Sequence, residues 1–504
     1  MSKIYSILLL CCVLITSCTS RNETPSDTLV VAINAQPSTL DPRFALDANG
    51  MRIAGLLFTP LVNIGSNLEI EPAAAESWTY SNNTYIFKIK PHLQFSNGRP
   101  VTKEDILFTF AEYLKPSSPF ASALAPIEKV DVIEKEGRLE VIIKLKYFSA
   151  KFLRADLPSV KILPKAEVES AGSDYVKKLV GSGQFKLVNH DLNEVSLVAA
   201  DNDLGRASKI KKILFKVIRD DYTRFQKTMK GEVDVAQTEL PFDKIAEFEK
   251  KGDQFKVLKF PGLSMTYLLL NFKDPILKDK EVRIALAEAL NREEIIKYKL
   301  SGMALPATSV LTPNNPYFNP NLQYPTFDLE AAKKAIAKAG LVGKTIILKS
   351  SNNPQSFDNA KVIAYQLSQT GLKVELQTYE WGTFFDDIKK GNFQMALMKW
   401  VATLDPDIYR VAFHSSEKPP GRNRGSYDNP TLDPLVAEAF KIEDETKRKK
   451  LYQEIQKIVF EDMPIIPLWY EQQVSVIKSS IEGYSPSQMG DYLPFLKVSK
   501  AATK

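Results

Sequence analysis

The sequence has 504 residues, of which 44% are hydrophobic and 25% are charged. These fractions are typical of a folded protein and exclude a disordered, collagen-like or coiled-coil chain, and the length predicts about two to four domains. The net charge of +6 is spread along the chain rather than gathered in a basic tail, so nucleic acid is not an expected partner.

The first eighteen residues predict export from the cytoplasm. Lys3 is followed by an apolar stretch over residues 4–15 and then by Thr16-Ser17-Cys18, a secretory signal too short to span a bilayer. Residues 14–18 resemble the bacterial lipobox, in which the cysteine becomes a lipidated N-terminus. We therefore expect residues 1–18 to be a lipoprotein signal peptide, Cys18 to anchor the protein to a membrane, and residues 19–28 to be a flexible tether. An ordinary signal cleaved elsewhere and an uncleaved anchor are the alternatives.

The first part of the body predicts antiparallel sheet with occasional helices. A short apolar strand covers residues 29–33, and residues 78–90 form a hairpin that turns at Ser81-Asn82-Asn83. Thr102-Lys103-Glu104-Asp105 is a capping-box pattern that opens a helix running to about residue 114. A second hairpin turns at Glu136-Gly137, where apolar and polar residues alternate on both sides.

The second half predicts alternating strands and helices. After an amphipathic helix over residues 279–290, a strand (345–349), a helix (358–370) and another strand (373–379) form a βαβ unit, whose strands should be parallel. A late helix stops before Pro464, and residues 464–477 return as a strand. The chain is therefore an α/β protein with at least two lobes.

The search for catalytic or metal-binding motifs finds almost nothing. The three cysteines all lie in the first eighteen residues, and His92, His190 and His414 stand in unrelated contexts, so neither a metal motif nor a nucleophile–base set is present. Gly181-Ser182-Gly183 precedes a strand rather than a helix, and we interpret it as a tight crossing instead of a phosphate loop. The sequence favours binding over catalysis, and we expect no enzyme activity and no cofactor.

A pair of carboxylates in Leu404-Asp405-Pro406-Asp407 is the one local exception. Two close acids suit acid–base work or cation binding, but a proline-fixed Asx-type turn uses the same residues. Both interpretations stay open from the sequence.

An ordered set of motifs along the body resembles the extracytoplasmic solute-binding lipoproteins of ABC importers, specifically the oligopeptide- and dipeptide-binding group. The matching segments are, in chain order, Ala75-Glu76-Ser77-Trp78, Tyr85-Ile86-Phe87-Lys88-Ile89, Phe95-Ser96-Asn97-Gly98-Arg99-Pro100, Val101-Thr102-Lys103-Glu104-Asp105-Ile106, Gly181-Ser182-Gly183-Gln184-Phe185-Lys186-Leu187, Gly231-Glu232-Val233-Asp234-Val235, Asp279-Lys280-Glu281-Val282-Arg283-Ile284-Ala285-Leu286, Glu380-Trp381, Ser426-Tyr427-Asp428-Asn429-Pro430 and Pro464-Ile465-Ile466-Pro467-Leu468. Each segment alone is a weak signal, whereas the ordered set is specific.

This resemblance implies a periplasmic-binding-protein-like fold of type II (cluster C), with two α/β lobes, a hinged cleft and an inserted mixed α+β lobe. The implied boundaries are residues 29–63, 182–263 and 483–504 for lobe I, 64–181 for the inserted lobe II and 264–482 for the closing lobe III. A monomeric receptor would bury a peptide or peptide-like solute in the cleft and deliver it to a membrane permease.

The resemblance also places the candidate binding residues. Trp381 falls on a tryptophan that lines the cleft of the family. Thr403 stands where an aspartate binds the amino terminus of the peptide, and Leu397 stands where a basic residue helps with the carboxylate. Because a threonine hydroxyl cannot neutralise an ammonium group, recognition of a free amino terminus in the usual way is in doubt.

Other residues near this segment complete the candidate site. Asp405 or Asp407 would substitute for the missing aspartate if the loop shifts, and Lys399 would supply positive charge to an acidic solute. Trp400 and Tyr267 offer aromatic faces, although core packing explains such residues equally well.

Three other functions stay open from the sequence. The same fold would accommodate a modified or cell-wall-derived peptide, glutathione, haem or a chelated metal. The chain would otherwise be an enzyme acting on surface peptides, or a surface lipoprotein that does not transport.

Overall fold

The computed structural model describes residues 25–66, 68–202, 207–237, 240–401, 403–419 and 421–501. The predicted signal peptide and its Cys18 lie outside the described residues, as does most of the predicted tether. No helix in these ranges combines the length and the apolar character that a membrane-spanning segment needs.

The strands of the described residues build one large sheet and three smaller ones. In chain order they are β1 Thr28–Ile33, β2 Val62–Ile64, β3 Ile70–Pro72, β4 Ala75–Ser81, β5 Thr84–Ile89, β6 Ile127–Lys135, β7 Arg138–Leu145, β8 Phe185–His190, β9 Glu194–Ala199, β10 Lys212–Val217, β11 Val235–Gln237, β12 Phe255–Leu270, β13 Ala304–Pro306, β14 Thr345–Ser351, β15 Lys373–Tyr379, β16 Met395–Trp400, β17 Ile465–Lys478, β18 Ile481–Glu482 and β19 Ser499–Lys500. The large sheet has eleven strands in the order β15-β14-β16-β12-β17-β11-β1-β10-β9-β8, with β13 added beside β17.

The α-helices pack around these sheets. They are α1 Ala48–Leu57, α2 Lys103–Tyr113, α3 Lys165–Ala171, α4 Asp221–Met229, α5 Ile245–Glu249, α6 Lys280–Glu288, α7 Arg292–Glu294, α8 Leu329–Lys338, α9 Pro354–Ser368, α10 Trp381–Lys390, α11 Ile408–Phe413, α12 Leu432–Ala439 and α13 Glu445–Asp462. A single turn of π-helix, Phe152–Asp156, is also used below.

Two long antiparallel strands, β12 and β17, run through the middle of the large sheet. Their pairing extends from Phe255 opposite Lys478 to Leu269 opposite Ile465, with a register shift between Pro261 and Met265. Residues 262–264 therefore bulge out of the ladder opposite Glu471. A bulge bends its strand and strengthens the local twist, so the two halves of the sheet meet at this point.

The predicted hairpins and capping box are confirmed. β4, β5, β7 and β6 form a four-stranded antiparallel sheet in that order. The first hairpin turns at Asn82 and Asn83, which have φ of +50° and +56° and so suit a tight hairpin turn. Thr102 caps α2, its hydroxyl accepting the N–H of Asp105 while the Asp105 carboxylate accepts the N–H of Thr102.

The predicted βαβ unit is also confirmed, since β14 and β15 pair in parallel around α9. The helix begins four residues earlier than predicted, at Pro354. Asn353 caps it and accepts the N–H groups of Gln355 and Ser356, and proline is well suited to the first helical position. The late helix likewise starts at Glu445, where the capping Asp444 lies outside the apolar pattern used for the prediction.

Alternate residues of β12 face different hydrophobic clusters. Leu268 and Leu270 belong to one cluster and Tyr267 and Leu269 to another, as the period of two in a strand requires. A further cluster joins the β1–β10–β9–β8 end of the large sheet to the four-stranded sheet. The β16 residues alternate in the same way, which decides where the candidate binding residues point.

Gly181-Ser182-Gly183 is a tight crossing, as predicted. A Cβ at Gly181 would lie 1.9 Å from the carbonyl oxygen of Leu57, and one at Gly183 would lie 2.3 Å from that of Leu56. Only glycine fits such close approaches between backbones. The buried hydroxyl of Ser182 accepts the N–H of Thr59 at 3.0 Å and fixes the crossing to the end of α1.

Candidate functional site

Trp400 and Tyr267 stack on each other across two neighbouring strands. Trp400 is the last residue of β16, Tyr267 lies on β12, and their ring centroids are 5.7 Å apart with the planes inclined by 6°. Tyr267 is buried, whereas Trp400 is partly buried. The indole Nε1 of Trp400 is enclosed and has no hydrogen-bond partner among the described residues. Such a donor is costly to leave unpaired, so it suits an acceptor brought by a ligand.

Trp381 begins α10 and stays largely in solvent, with 55% of its surface exposed. Its ring stacks on Phe385, one helical turn further on, at a centroid distance of 5.2 Å and an angle of 16°. Glu380 caps the helix by accepting the N–H of Gly382 at 2.7 Å. A tryptophan held in this exposed position offers an apolar face to a partner.

Arg424 lies between these two ring pairs. Its guanidinium carbon is 4.6 Å from the centroid of Phe385, which places the cation over that ring. Burial raises the pKa of the Tyr267 hydroxyl, and the positive charge of Arg424 opposes the rise. Burial also lowers the pKa of Arg424, an effect that Tyr267 opposes. The guanidinium thus contacts the Phe385 ring and interacts electrostatically with the Tyr267 hydroxyl, and we call these two ring pairs and Arg424 the aromatic site.

Lys399 does not belong to this site. It alternates with Trp400 along β16 and so points to the other face of the sheet, where its ammonium group forms an ion pair with Glu471 opposite the bulge. Leu397 has the same orientation and is buried in the hydrophobic cluster that includes Leu268. Thr403 follows the strand, is buried, and donates its N–H to the carbonyl oxygen of Leu263 at 3.3 Å.

Asp405 and Asp407 already have cationic partners. Arg448 donates from Nη2 to Asp405 Oδ1 at 3.2 Å, and both side chains are more than nine-tenths buried. Arg410 binds Asp407 through Nε and Nη2, both at 3.0 Å. Asp407 also donates its N–H to Asp405 Oδ1 at 2.8 Å, which is the Asx-type turn that the sequence left open.

Asp156 faces these two acids from the π-helical turn. Its Oδ1 lies 3.6 Å from Lys151 Nζ, while its Oδ2 is enclosed without a hydrogen-bond partner in the described part of the chain. Burial raises the pKa of Asp156 to about 7; Lys151 opposes the rise, and the negative charges of Asp405 and Asp407 add to it. The loop that carries Asp405 and Asp407 is thus close enough to the buried Asp156, distant from it in sequence, for their charges to oppose its ionisation.

The structure stacks Trp400 on Tyr267 and Trp381 on Phe385, and it leaves Lys399 and Asp405 in ion pairs. Sequence reasoning missed Arg424 and Asp156. Arg424 lies just before the family motif that begins at Ser426, but no local sequence pattern shows whether an arginine has a partner in the folded chain. Across the residues that the structure describes, no group of three or more histidine, cysteine or acidic side chains has an arrangement that would hold a metal ion.

The whole chain is similar to known solute-binding proteins. It is 28% identical over 485 residues to the oligopeptide-binding protein AppA of Bacillus subtilis, covering 90% of this chain and 88% of the relative. It is 25% identical over 502 residues to the dipeptide-binding protein of Escherichia coli, covering 92% and 93%. The solved structure of Bacillus subtilis AppA in complex with a nonapeptide superposes with a TM-score of 0.74 at 26% identity, covering 94% of this chain and 99% of that one.

These superpositions confirm the predicted type II periplasmic-binding-protein fold and the mixed α/β class. The model of the family described as bacterial extracellular solute-binding proteins, family 5 Middle, matches residues 69–420. The resemblance carried by the sequence motifs is thereby confirmed: the chain belongs to the family 5 bacterial extracellular solute-binding proteins.

Proposed function

We propose that this protein is the receptor of an ABC importer that captures peptides or peptide-like solutes and delivers them to a membrane permease. The observation that carries the proposal is similarity along nearly the whole chain to peptide-binding relatives, including a fold solved with a bound nonapeptide. The aromatic site fits this role, because ring faces accept varied side chains without demanding one shape.

We also propose that the three lobes have the boundaries expected from the sequence. The bulge at residues 262–264 supports it, since it interrupts β12 at the boundary between lobes I and III. Two hydrophobic clusters also support it, because their buried members all lie between Met265 and Tyr470, inside lobe III. Closure of this lobe on the rest of the molecule would bury the solute.

Short peptides should stabilise the protein against heat. A ligand that binds only the folded state at about a hundred times its dissociation constant adds about 2.7 kcal/mol to the free energy of unfolding. The full chain, purified in detergent with its own N-terminus, is heated with and without a mixture of tri- to nonapeptides. No shift with any peptide would refute the proposal. Peptides recovered intact would support binding without turnover, and cleaved peptides would indicate an enzyme.

The ligand itself should be found by mass spectrometry of the small molecules that co-purify with the native protein. A closed cleft releases its solute slowly, so peptides are expected in the denatured extract. Haem, glutathione or a metal chelate in their place would support a different solute for the same receptor.

The position of Thr403 tests how the amino terminus of a peptide is recognised. Thr403→Asp should increase affinity for peptides with a free amino terminus about tenfold, because a buried carboxylate would pair with the ammonium group. N-acetylated versions of the same peptides are the control and should show no gain. Equal affinities for wild type and variant, with the fold intact, would place residue 403 outside the solute site.

Lipid attachment at Cys18 is also part of the proposal, supported by the lipobox resemblance of residues 14–18. Acyl chains would hold the protein at a membrane outside the cytoplasm. Cys18→Ser should abolish labelling by radioactive palmitate and move the protein from the membrane fraction to the soluble one. Unchanged labelling would refute the assignment of this cysteine.

A further inference from the structure

Arg424 is a charged side chain without a hydrogen-bonded or ion-paired partner among the described residues. It is partly buried, and no described residue forms a hydrogen bond or an ion pair with its guanidinium group. Its charged neighbour is Arg422, which repels it. A partly buried guanidinium that keeps contact with solvent can form charge-assisted hydrogen bonds to a carboxylate. Its position therefore suits an acidic partner brought by a ligand.

The backbone holds Arg424 in a fixed place. The carbonyl oxygen of Gly425 accepts the N–H of Phe272 at 2.8 Å, and a Cβ at Gly425 would lie 2.5 Å from the carbonyl oxygen of Leu270. Asn423 exchanges two hydrogen bonds with the backbone of Tyr427, at 2.8 and 3.0 Å. The loop is thus fixed on both sides of Arg424. A fixed backbone reduces the conformational entropy that is lost on binding, which favours a recognition role.

The surroundings of Arg424 supply donors and ring faces. The Nε1 group of Trp400 is an enclosed donor without a partner in the described chain. Phe385, stacked with Trp381, covers one side of the guanidinium. Asp405 and Asp407, in the loop after β16, form ion pairs with other arginines. The site therefore suits a ligand in which a group that only accepts hydrogen bonds is attached to an apolar group.

We propose that Arg424 binds a carboxylate of the solute and makes the receptor selective for solutes that carry one next to an apolar group. A planar carboxylate fits the fork of a guanidinium through two parallel hydrogen bonds, and the apolar group would lie against Trp381 and Phe385. The inference rests on the proposed function. It assigns the carboxylate to a residue outside the position where the family resemblance predicted a basic side chain, which is Leu397 here.

The carboxylate has two possible sources, the C-terminus of a peptide or an acidic side chain. Three synthetic tetrapeptide mixtures separate them. The first has free C-termini and no acidic residues, the second is its C-terminal amide, and the third is an amide with glutamate at one position. Native mass spectrometry of the full chain in detergent gives the affinity for each mixture. Wild type should bind the first or the third mixture at least about tenfold better than the second.

Arg424→Gln should bind all three mixtures with one low affinity, about ten- to a hundredfold weaker than the preferred mixture binds to wild type. Arg424→Lys should keep only part of the preference, because an ammonium group lacks the fork. Arg422→Gln is the matched control, two residues away in the same loop, and should behave as wild type. Melting temperatures without peptide show whether each variant is folded.

The outcomes separate the two proposals. A wild-type protein that binds none of the mixtures refutes the peptide-receptor function and this inference with it. Wild-type binding without a preference for a carboxylate, or a preference that survives in Arg424→Gln, overturns the role of Arg424 and leaves the receptor function standing.

Discussion

Replacing Asp156 by asparagine should make the protein more stable, and increasingly so as the pH rises. Asp156 is buried, its Oδ2 has no hydrogen-bond partner among the described residues, and it faces Asp405 and Asp407. Asparagine has the same shape and no charge. It removes the cost of ionising this position while keeping an oxygen for Lys151.

The magnitude follows from the pKa. In the folded protein the pKa of Asp156 is raised from 3.8 to about 7. Because the folded-state value is the higher one, stability from this group is complete below the unfolded-state pKa and is lost as the pH rises through about 7. The full loss amounts to about 4 kcal/mol, of which about 3 kcal/mol falls between about pH 5 and about pH 8.5.

Denaturant unfolding of wild type and Asp156→Asn across this pH range measures the effect. The advantage of the variant should grow by about 3 kcal/mol from the acidic to the alkaline end. Asp174→Asn, at an exposed aspartate of the same region, is the control and should show no such growth. Parallel stability curves for wild type and Asp156→Asn would refute the reasoning, since the burial of Asp156 would then not resist its ionisation.

Two further substitutions test the packing. Gly181→Ala should lower the free energy of unfolding by about 3 kcal/mol, because its Cβ would overlap the carbonyl oxygen of Leu57. Gly55→Ala is the control: it has open space in α1 and should be neutral or stabilising. Denaturant unfolding curves measure both, and equal effects would contradict the overlap at Gly181. Arg448→Met should lower the free energy of unfolding by about 3–5 kcal/mol, because it leaves Asp405 buried without a cation. The double variant with Asp405→Leu should recover most of that loss. A single variant as stable as wild type would contradict a stabilising ion pair.

The parts of the fold that could be predicted from the sequence are those fixed by local physics. The first hairpin depends on two asparagines that tolerate positive φ, and α2 depends on a capping box within four residues. The pairing of β12 with β17 had no such signal, because the partners lie some two hundred positions apart. Their bulge and its place in the middle of the large sheet emerge only when the chain is folded.

The candidate site shows more clearly that interactions between residues distant in sequence could not be predicted. Trp381 was predicted because it falls on a tryptophan of the family pattern, whereas Trp400 and Tyr267 were predicted only as aromatic faces near that segment. Asp405 was considered as a ligand for an ammonium group, but Arg448, 43 positions away, is bound to it. Whether a charge is paired depends on residues distant in sequence. Arg424 was missed for that reason, since its importance lies in having no partner in the part of the chain that the structure describes.

The loop around Arg424 has a consequence for how this receptor could diversify. Its course is set by backbone hydrogen bonds and by the close contact of Gly425 with Leu270, and not by the side chain at position 424. A different residue at position 424 would lie in the same place beside the rings of the aromatic site. After gene duplication, a single substitution at position 424 would therefore suffice to change which chemical group of a solute is bound, without compensating changes in the core.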